Sequence, residues 1–228
     1  MINTTKKVDQ LRAEILEVSI KHKQGHVAPS LSCLDILTVL YYYSAAPEDT
    51  IILSKGHGCY GLYAIWADKG IIPREKWTNF DLPGCLEGYG SLGHGLPVAV
   101  GVAFANQKLG NEKHTWVIVG DGELQEGSNW EALSFMKHHN LNNITVIVDD
   151  NNLQAMDQIN KILGHKLWER FKAWGFIGEV CNGHNHEAIK KFLSHKPAVL
   201  FAKCMKGKGV PYMENKAEWH FKISNENR

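Results

Sequence analysis

Apolar residues along the chain follow two periods. Between Val8 and Lys23 they recur at helical spacing, with Val8, Leu11, Ile15 and Val18 on one face, which predicts an amphipathic helix. Short, nearly continuous apolar runs at Thr50–Leu53, Trp116–Val119, Ile144–Val148, 176–180 and 198–203 predict strands covered on both faces. Helical patterns lie between these runs. One starts near Ser32, with Ser32 and Asp35 as a variant capping box, and continues to Tyr41–Tyr43. Another runs from Gly58 to about Lys69 and is stopped by Gly70. A short helix around Arg74–Asn79 interrupts a loop over 71–95, and a helix of small residues covers Val98–Lys108. Further helices are expected over Gln125–His139, 165–174 and 185–194, with a loop over 150–164. Strands alternating with helices predict an α/β fold of three layers, a mainly parallel sheet with helices on both faces and right-handed crossovers. The length suits one domain over residues 1–228.

The stretch from Gly120 to Asn152 organises this pattern. A strand runs into Gly120-Asp121-Gly122, a helix follows, and the next strand ends in Asp149-Asp150-Asn151-Asn152. In a parallel sheet both turns fall at one carboxyl edge, where open α/β sheets bind ligands. Glycines let the backbone approach a ligand, and a helix N-terminus suits phosphate oxygens. Asp121 opposes a phosphate there: two unit charges ~4 Å apart interact by ~4 kcal/mol at an effective dielectric of ~20. A cation between them removes that cost. Mg²⁺ fits, because it takes one or two carboxylates together with carbonyl and phosphate oxygens, and Asn151 can supply a neutral oxygen. The plainer alternative is that Asp121 only caps a helix.

Other residues gain meaning from their turns. His26 lies on the loop after the first helix, and His57 sits in Ser54-Lys55-Gly56-His57-Gly58, another strand, glycine turn and helix. Either histidine alone reads as a solvated loop residue; two in similar turns favour ligand contact. Glu87–Gly95 is rich in glycine, which connection chemistry explains equally well. Lys206 in the Lys-Gly-Lys-Gly segment can reach a phosphate as a point charge.

Bulk composition excludes several classes. A formal net charge of +1 gives no electrostatic case for nucleic acid or membrane binding. The N-terminus has no apolar signal core and no stretch is long enough to span a bilayer, so a cytoplasmic protein is expected. Cys33, Cys59, Cys85, Cys181 and Cys204 are scattered with no Cys-x-x-Cys, and read as reduced, mostly buried thiols.

The spacing from Gly-Asp-Gly to Asn-Asn is that of thiamine diphosphate enzymes. The finer wording, GDGELQEG, IVDDNNLQ, GHVAPSLSCLDILTVLYY, ILSKGHG, KGKG and Trp219-His220, resembles the transketolase family in order from end to end. This resemblance implies the diphosphate-binding domain of such an enzyme, with thiamine diphosphate and Mg²⁺ (or Ca²⁺ or Mn²⁺) as cofactors. It implies that Asp121, Asn151 and the Leu153 carbonyl hold the metal. Gly120, Gly122, Asn151 and Lys206 would face the diphosphate, and Gly90, Ser91 and Leu92 would line the aminopyrimidine. His26, His57 and His220 would line the substrate channel, His57 and His220 also touching the cofactor, and assist proton transfers. Glu126 matches a family glutamate at the subunit interface near the cofactor, and the resemblance places it with the three histidines among the catalytic residues.

Two departures shape the expectation. The family's pyrimidine-binding and C-terminal domains are absent, so the chain resembles the N-terminal half of a split transketolase. Its partner would carry both domains, and the domain would self-associate as the core dimer of a heterotetramer. The expected reaction moves a two-carbon ketol unit from a ketose (phosphate) donor to an aldose acceptor, and requires the partner chain. Asp81–Glu87 also lacks the Pro-Gly-His-Pro segment of most transketolases, which points to substrates other than the usual pentose phosphates. His94 carries no assigned role. A subunit that condenses or decarboxylates a 2-keto acid and a non-catalytic scaffold are the alternatives; the three histidines argue against the first and the intact Asp121 and Asn151 against the second.

Overall fold

The structure is a computed structural model that describes residues 3–79, 91–163, 166–196 and 198–224. Its strands are β1 (Thr50–Leu53), β2 (Thr115–Gly120), β3 (Ile144–Asp150), β4 (Gly178–Asn182) and β5 (Val199–Lys203). They form one parallel sheet in the order β1-β2-β3-β5-β4. The helices are α1 (Thr4–His22), α2 (Val27–Val39), α3 (Cys59–Asp68), α4 (Arg74–Thr78), α5 (Gly95–Lys108), α6 (Gly127–His138), α7 (Ile159–Ile162), α8 (Leu167–Ala173) and α9 (His186–Ser194).

Side chains alternate across the sheet and build two cores. Leu53, Trp116, Ile118, Ile147 and Leu200 meet α1, α2, α3 and α9 on one face. Ile52, Val117, Val119, Val146, Val148 and Phe201 meet α5, α6 and α8 on the other. The helices on that second face carry the chain one way across the sheet. From β4 the chain returns to β5, and α9, which makes that return, packs on the first face, as right-handed crossovers require. The expected three-layer parallel architecture is therefore present.

Several boundaries differ from expectation for identifiable reasons. α2 begins at Val27, not near Ser32, and His26 precedes it with a left-handed φ of 62°. Ser32 and Asp35 lie inside the helix and are no capping box, because both side chains bond to distant partners instead. The Ser32 hydroxyl donates to Asp149 and the Asp35 carboxylate accepts from His184 and His186. α2 runs on into a π-helical turn at Leu40–Ser44. A tight turn at Glu123–Gln125 separates the Gly-Asp-Gly segment from α6, which starts at Gly127. β4 starts two residues later than expected, since Phe176 turns into the core. The 150–164 loop carries an isolated antiparallel bridge, Leu153 to Gln158, and the short α7. Among the described cysteines, Cys33, Cys59, Cys181 and Cys204 are free thiols, the first three buried. Cys85 and the shortened 80–90 segment lie outside the described residues. Among the described residues no helix is long and apolar enough to cross a membrane.

Candidate functional site

A cavity of about 350 Å³ opens at the carboxyl edge of the sheet. Register creates it: Gly120 on β2 pairs with Asp149 on β3, so the chain leaves both strands side by side. Asp121 and Gly122 come from the turn after β2, and Asn151 and Leu153 from the turn after β3. The turn after β1 adds Lys55 and His57, the start of α2 adds His26, and the segment after β5 adds Lys206 and His220. A larger groove of about 1170 Å³ lies along the ends of β3, β5 and β4, near Asp150, Trp168 and Lys203. Its charges are unlike those of the smaller cavity: the Lys203 ammonium is exposed and already pairs with Asp150. The smaller cavity is the one where buried charges converge.

Asp121 is 2% exposed. One carboxylate oxygen accepts the Gly122 N–H at 2.8 Å and the other the Asn152 N–H at 2.5 Å. Burial, then the charges of Asp149 and Asp150, push its pKa up to about 7. A Cβ on Gly122 would lie 2.8 Å from Gln154 Cγ, so a larger residue would have to push that side chain aside where the β3 turn folds across the β2 turn. Lys206 is 1% exposed and has no carboxylate partner among the described residues. Its ammonium donates to the Gln154 carbonyl at 3.0 Å and to His220 Nδ1 at 2.8 Å. Burial, then the charge of Lys55, lowers its pKa to about 8. The cavity thus holds a buried carboxylate and a buried ammonium that do not pair with each other. Such a layout suits a polyanion that brings its own cation, since each protein charge then gains a partner. Among the described residues no group of three His, Cys, Asp or Glu could hold a metal on its own. Any cation here would take oxygens from its ligand as well.

Three imidazoles line the same cavity. Ring centroids are 5.0 Å apart for His57 and His220, 5.4 Å for His26 and His220, and 6.1 Å for His26 and His57. Burial lowers all three pKa values, with Lys206 adding to the effect at His26 and Lys55 at His57. His220, with Lys206 as its neighbour, falls to about 3. All three are neutral at pH 7, each with one donor and one acceptor nitrogen. The segment carrying His220 closes tightly on the turn before α2: a Cβ on Gly25 would sit 1.8 Å from the Phe221 carbonyl oxygen, and Phe221 packs edge-on against His26.

The structure brings His26, His57, His220, Leu92, Gly120, Asp121, Gly122, Glu126, Asn151, Leu153 and Lys206 around one cavity, Glu126 as an exposed residue before α6. Ser91 is exposed, its hydroxyl 2.8 Å from His94 Nε2, and Gly90 lies outside the described residues. Sequence reading missed Lys55, Glu123 and Asp149. Lys55 is buried and ion-paired with the fully buried Asp149; although burial opposes both charges, the pair raises the lysine pKa and lowers that of the aspartate. Glu123 accepts from the Ser54 hydroxyl, the Gly93 N–H and the Gly120 N–H, tying the glycine-rich segment to the β2 turn. Their proximity to His57, Asp121 and Asn151 in the sequence was the available signal.

Fold and site together define a cofactor domain for a phosphorylated ligand at the edge of a parallel sheet. The profile for "Transketolase, thiamine diphosphate binding domain" matches residues 79–226, and that for 1-deoxy-D-xylulose-5-phosphate synthase matches residues 3–71. The chain is 35% identical to one of the subunits of the apulose-4-phosphate transketolase of Actinobacillus succinogenes, over 96% of this chain and 90% of that protein. The corresponding protein of Phocaeicola vulgatus is 33% identical, over 92% and 85%. A Campylobacter jejuni transketolase structure superposes with a TM-score of 0.86 at 29% identity, over 96% of this chain but 40% of that one. The chain belongs to the transketolase family and comprises its thiamine diphosphate-binding domain.

Proposed function

We propose that this chain is the diphosphate-binding subunit of a two-chain, Mg²⁺-dependent transketolase that moves a two-carbon ketol unit from a ketose phosphate to an aldose. The unpaired buried charges of Asp121 and Lys206, on one cavity beside a glycine turn, carry the reading. Asp121, the Asn151 amide oxygen and the Leu153 carbonyl would hold Mg²⁺, with Ca²⁺ or Mn²⁺ as substitutes. Gly120, Gly122, Asn151 and Lys206 would meet the diphosphate, with Gly90, Ser91 and Leu92 toward the aminopyrimidine. Bound thiamine diphosphate supplies a carbon nucleophile that carries the two-carbon fragment. The protein supplies hydrogen bonds and protons: neutral His26, His57 and His220 can hold sugar hydroxyls, and give or take protons at the substrate carbonyl and hydroxyl oxygens. Glu126 would lie against a second copy in a core dimer.

Residues 1–228 form one domain in this reading, and a partner chain supplies the pyrimidine-binding and C-terminal domains. Relatives named as transketolase subunits, of nearly the same length as this chain, support it. A general acid or base brought by the partner is worth roughly 10²–10⁴ in rate. Those relatives also make apulose 4-phosphate the first donor to try. The three neutral histidines suit a hydroxyl-rich sugar better than a 2-keto acid, and a scaffold protein has no use for two unpaired buried charges. The test is calorimetric titration of the chain with thiamine diphosphate, with and without Mg²⁺. The reading predicts saturable, Mg²⁺-dependent binding that Asp121→Ala removes; equal binding without metal, or by the variant, contradicts it.

A further inference from the structure

Asp149 has no exposed surface, and its neighbours only donate to it. The Lys55 ammonium bonds one oxygen, and the Ser32 hydroxyl reaches the other at 2.7 Å. The Asn151 Nδ2 lies 3.4 Å from the lysine-bonded oxygen and 3.0 Å from the Ser32 oxygen. Lys55 is held in turn by the Pro29 carbonyl at 3.0 Å.

Hydrogen-bond polarity follows from these contacts. A carboxylate paired with an ammonium accepts only, so Ser32 must give it its single proton. The Ser32 oxygen then has only lone pairs to offer Asn151. Asn151 must answer with its NH₂ group, which turns its amide oxygen the other way, where it accepts the Leu153 N–H at 3.0 Å. The ion pair therefore decides which end of the Asn151 amide is presented to the turn that lines the cavity.

We propose that Lys55, Asp149 and Ser32 form a polarity relay whose role is to hold the Asn151 amide oxygen toward the cation of the diphosphate site. The proposal rests on the cofactor reading above. Asp149 and Ser32 act as positioning residues through Asn151.

Asp149→Asn tests the relay with almost no change of shape. Lys55 keeps the new amide oxygen on its own side, so the new NH₂ faces Ser32. Ser32 must now accept, and its proton turns toward Asn151, which then favours rotating its oxygen inward and its NH₂ outward. Ser32→Ala alone leaves the 3.4 Å contact to set Asn151 correctly. Ser32→Ala in the Asp149→Asn background removes the reversed hydroxyl.

The measurement is the Kd of the full chain for thiamine diphosphate at saturating Mg²⁺, by calorimetry, with folding checked by circular dichroism. Asp149→Asn is expected to weaken binding tenfold or more and Ser32→Ala less than threefold. The double variant is expected to bind more tightly than Asp149→Asn alone. Simple structural damage makes the double variant the weakest, and that result overturns the relay, as does parent-like binding by Asp149→Asn. Failure of the parent to bind both alone and in the complex with its partner chain overturns the cofactor reading itself. Should Asp149→Asn not fold, proton exchange of the Asn151 NH₂ in the parent decides: slow exchange supports donation to Ser32 and Asp149, and exchange as fast as that of an exposed asparagine overturns it.

Discussion

At the residue scale the molecule carries charges that it does not itself neutralise. Lys206 is the clearest case. Its pKa of about 8 lies below the ~10.4 of an unfolded lysine, so between those values the unfolded chain binds more protons. Stability of the cofactor-free protein should therefore gain from this residue as pH rises from about 8 toward ~10.4. Binding runs the opposite way, because the diphosphate needs the ammonium: affinity for thiamine diphosphate should fall as pH rises through about 8. Lys206→Met should remove that fall along with most of the affinity. It should also raise the melting temperature of the cofactor-free protein by roughly 2–8 °C, taking 1–2 kcal/mol at about 2–4 °C each. Calorimetry across pH and thermal melts check both. The motif residues Asp121, Asn151 and Lys206 were legible in the sequence because each sits in a glycine- or asparagine-marked turn. The Lys55–Asp149–Ser32 cluster was not, because Asp149 lies 94 residues from Lys55 and 117 from Ser32 and meets them only through the sheet.

At the element scale, α2 does more than fill a core. Asp35 accepts from His184 at 2.8 Å and from His186 at 2.5 Å, which fastens the β4–α9 connection to the helix. Burial opposes the Asp35 charge, yet the two histidine bonds win and hold its pKa below the usual carboxylate value. Its contribution to stability is therefore present above about pH 4 and lost as pH falls through the lower folded value. Asp35→Asn should destabilise the fold by about 1–3 kcal/mol, read by urea denaturation at pH 7. Gly25→Ala probes the other end of α2. The new methyl would overlap the Phe221 carbonyl oxygen, so the 219–221 segment must move and carry His220 away from His26 and His57. It should cost about 1–3 kcal/mol of stability in the same assay. Strand positions and the sheet edge were readable from runs of apolar residues. The start of α2 was not, since Ser32 and Asp35 look like a cap until their distant partners are known.

At the scale of the whole molecule, the described residues leave a cavity at the carboxyl edge of the sheet, and the chain spans 40% of the Campylobacter jejuni transketolase. The alternation of strand and helix made the three-layer fold legible, and the order of the motifs made the family legible. The substrate was not, because the 80–90 segment departs from the family wording and carries no histidine in place of the family's sugar-contacting one. In the proposed function the site is a half-site that needs a second chain. The most direct test is two-carbon transfer from a ketose phosphate to an aldose, with thiamine diphosphate and Mg²⁺, by the purified chain and by the complex it forms in its own cells. The account predicts turnover by the complex and a rate at least roughly 10²-fold lower for the chain alone. Equal rates for the two would contradict it.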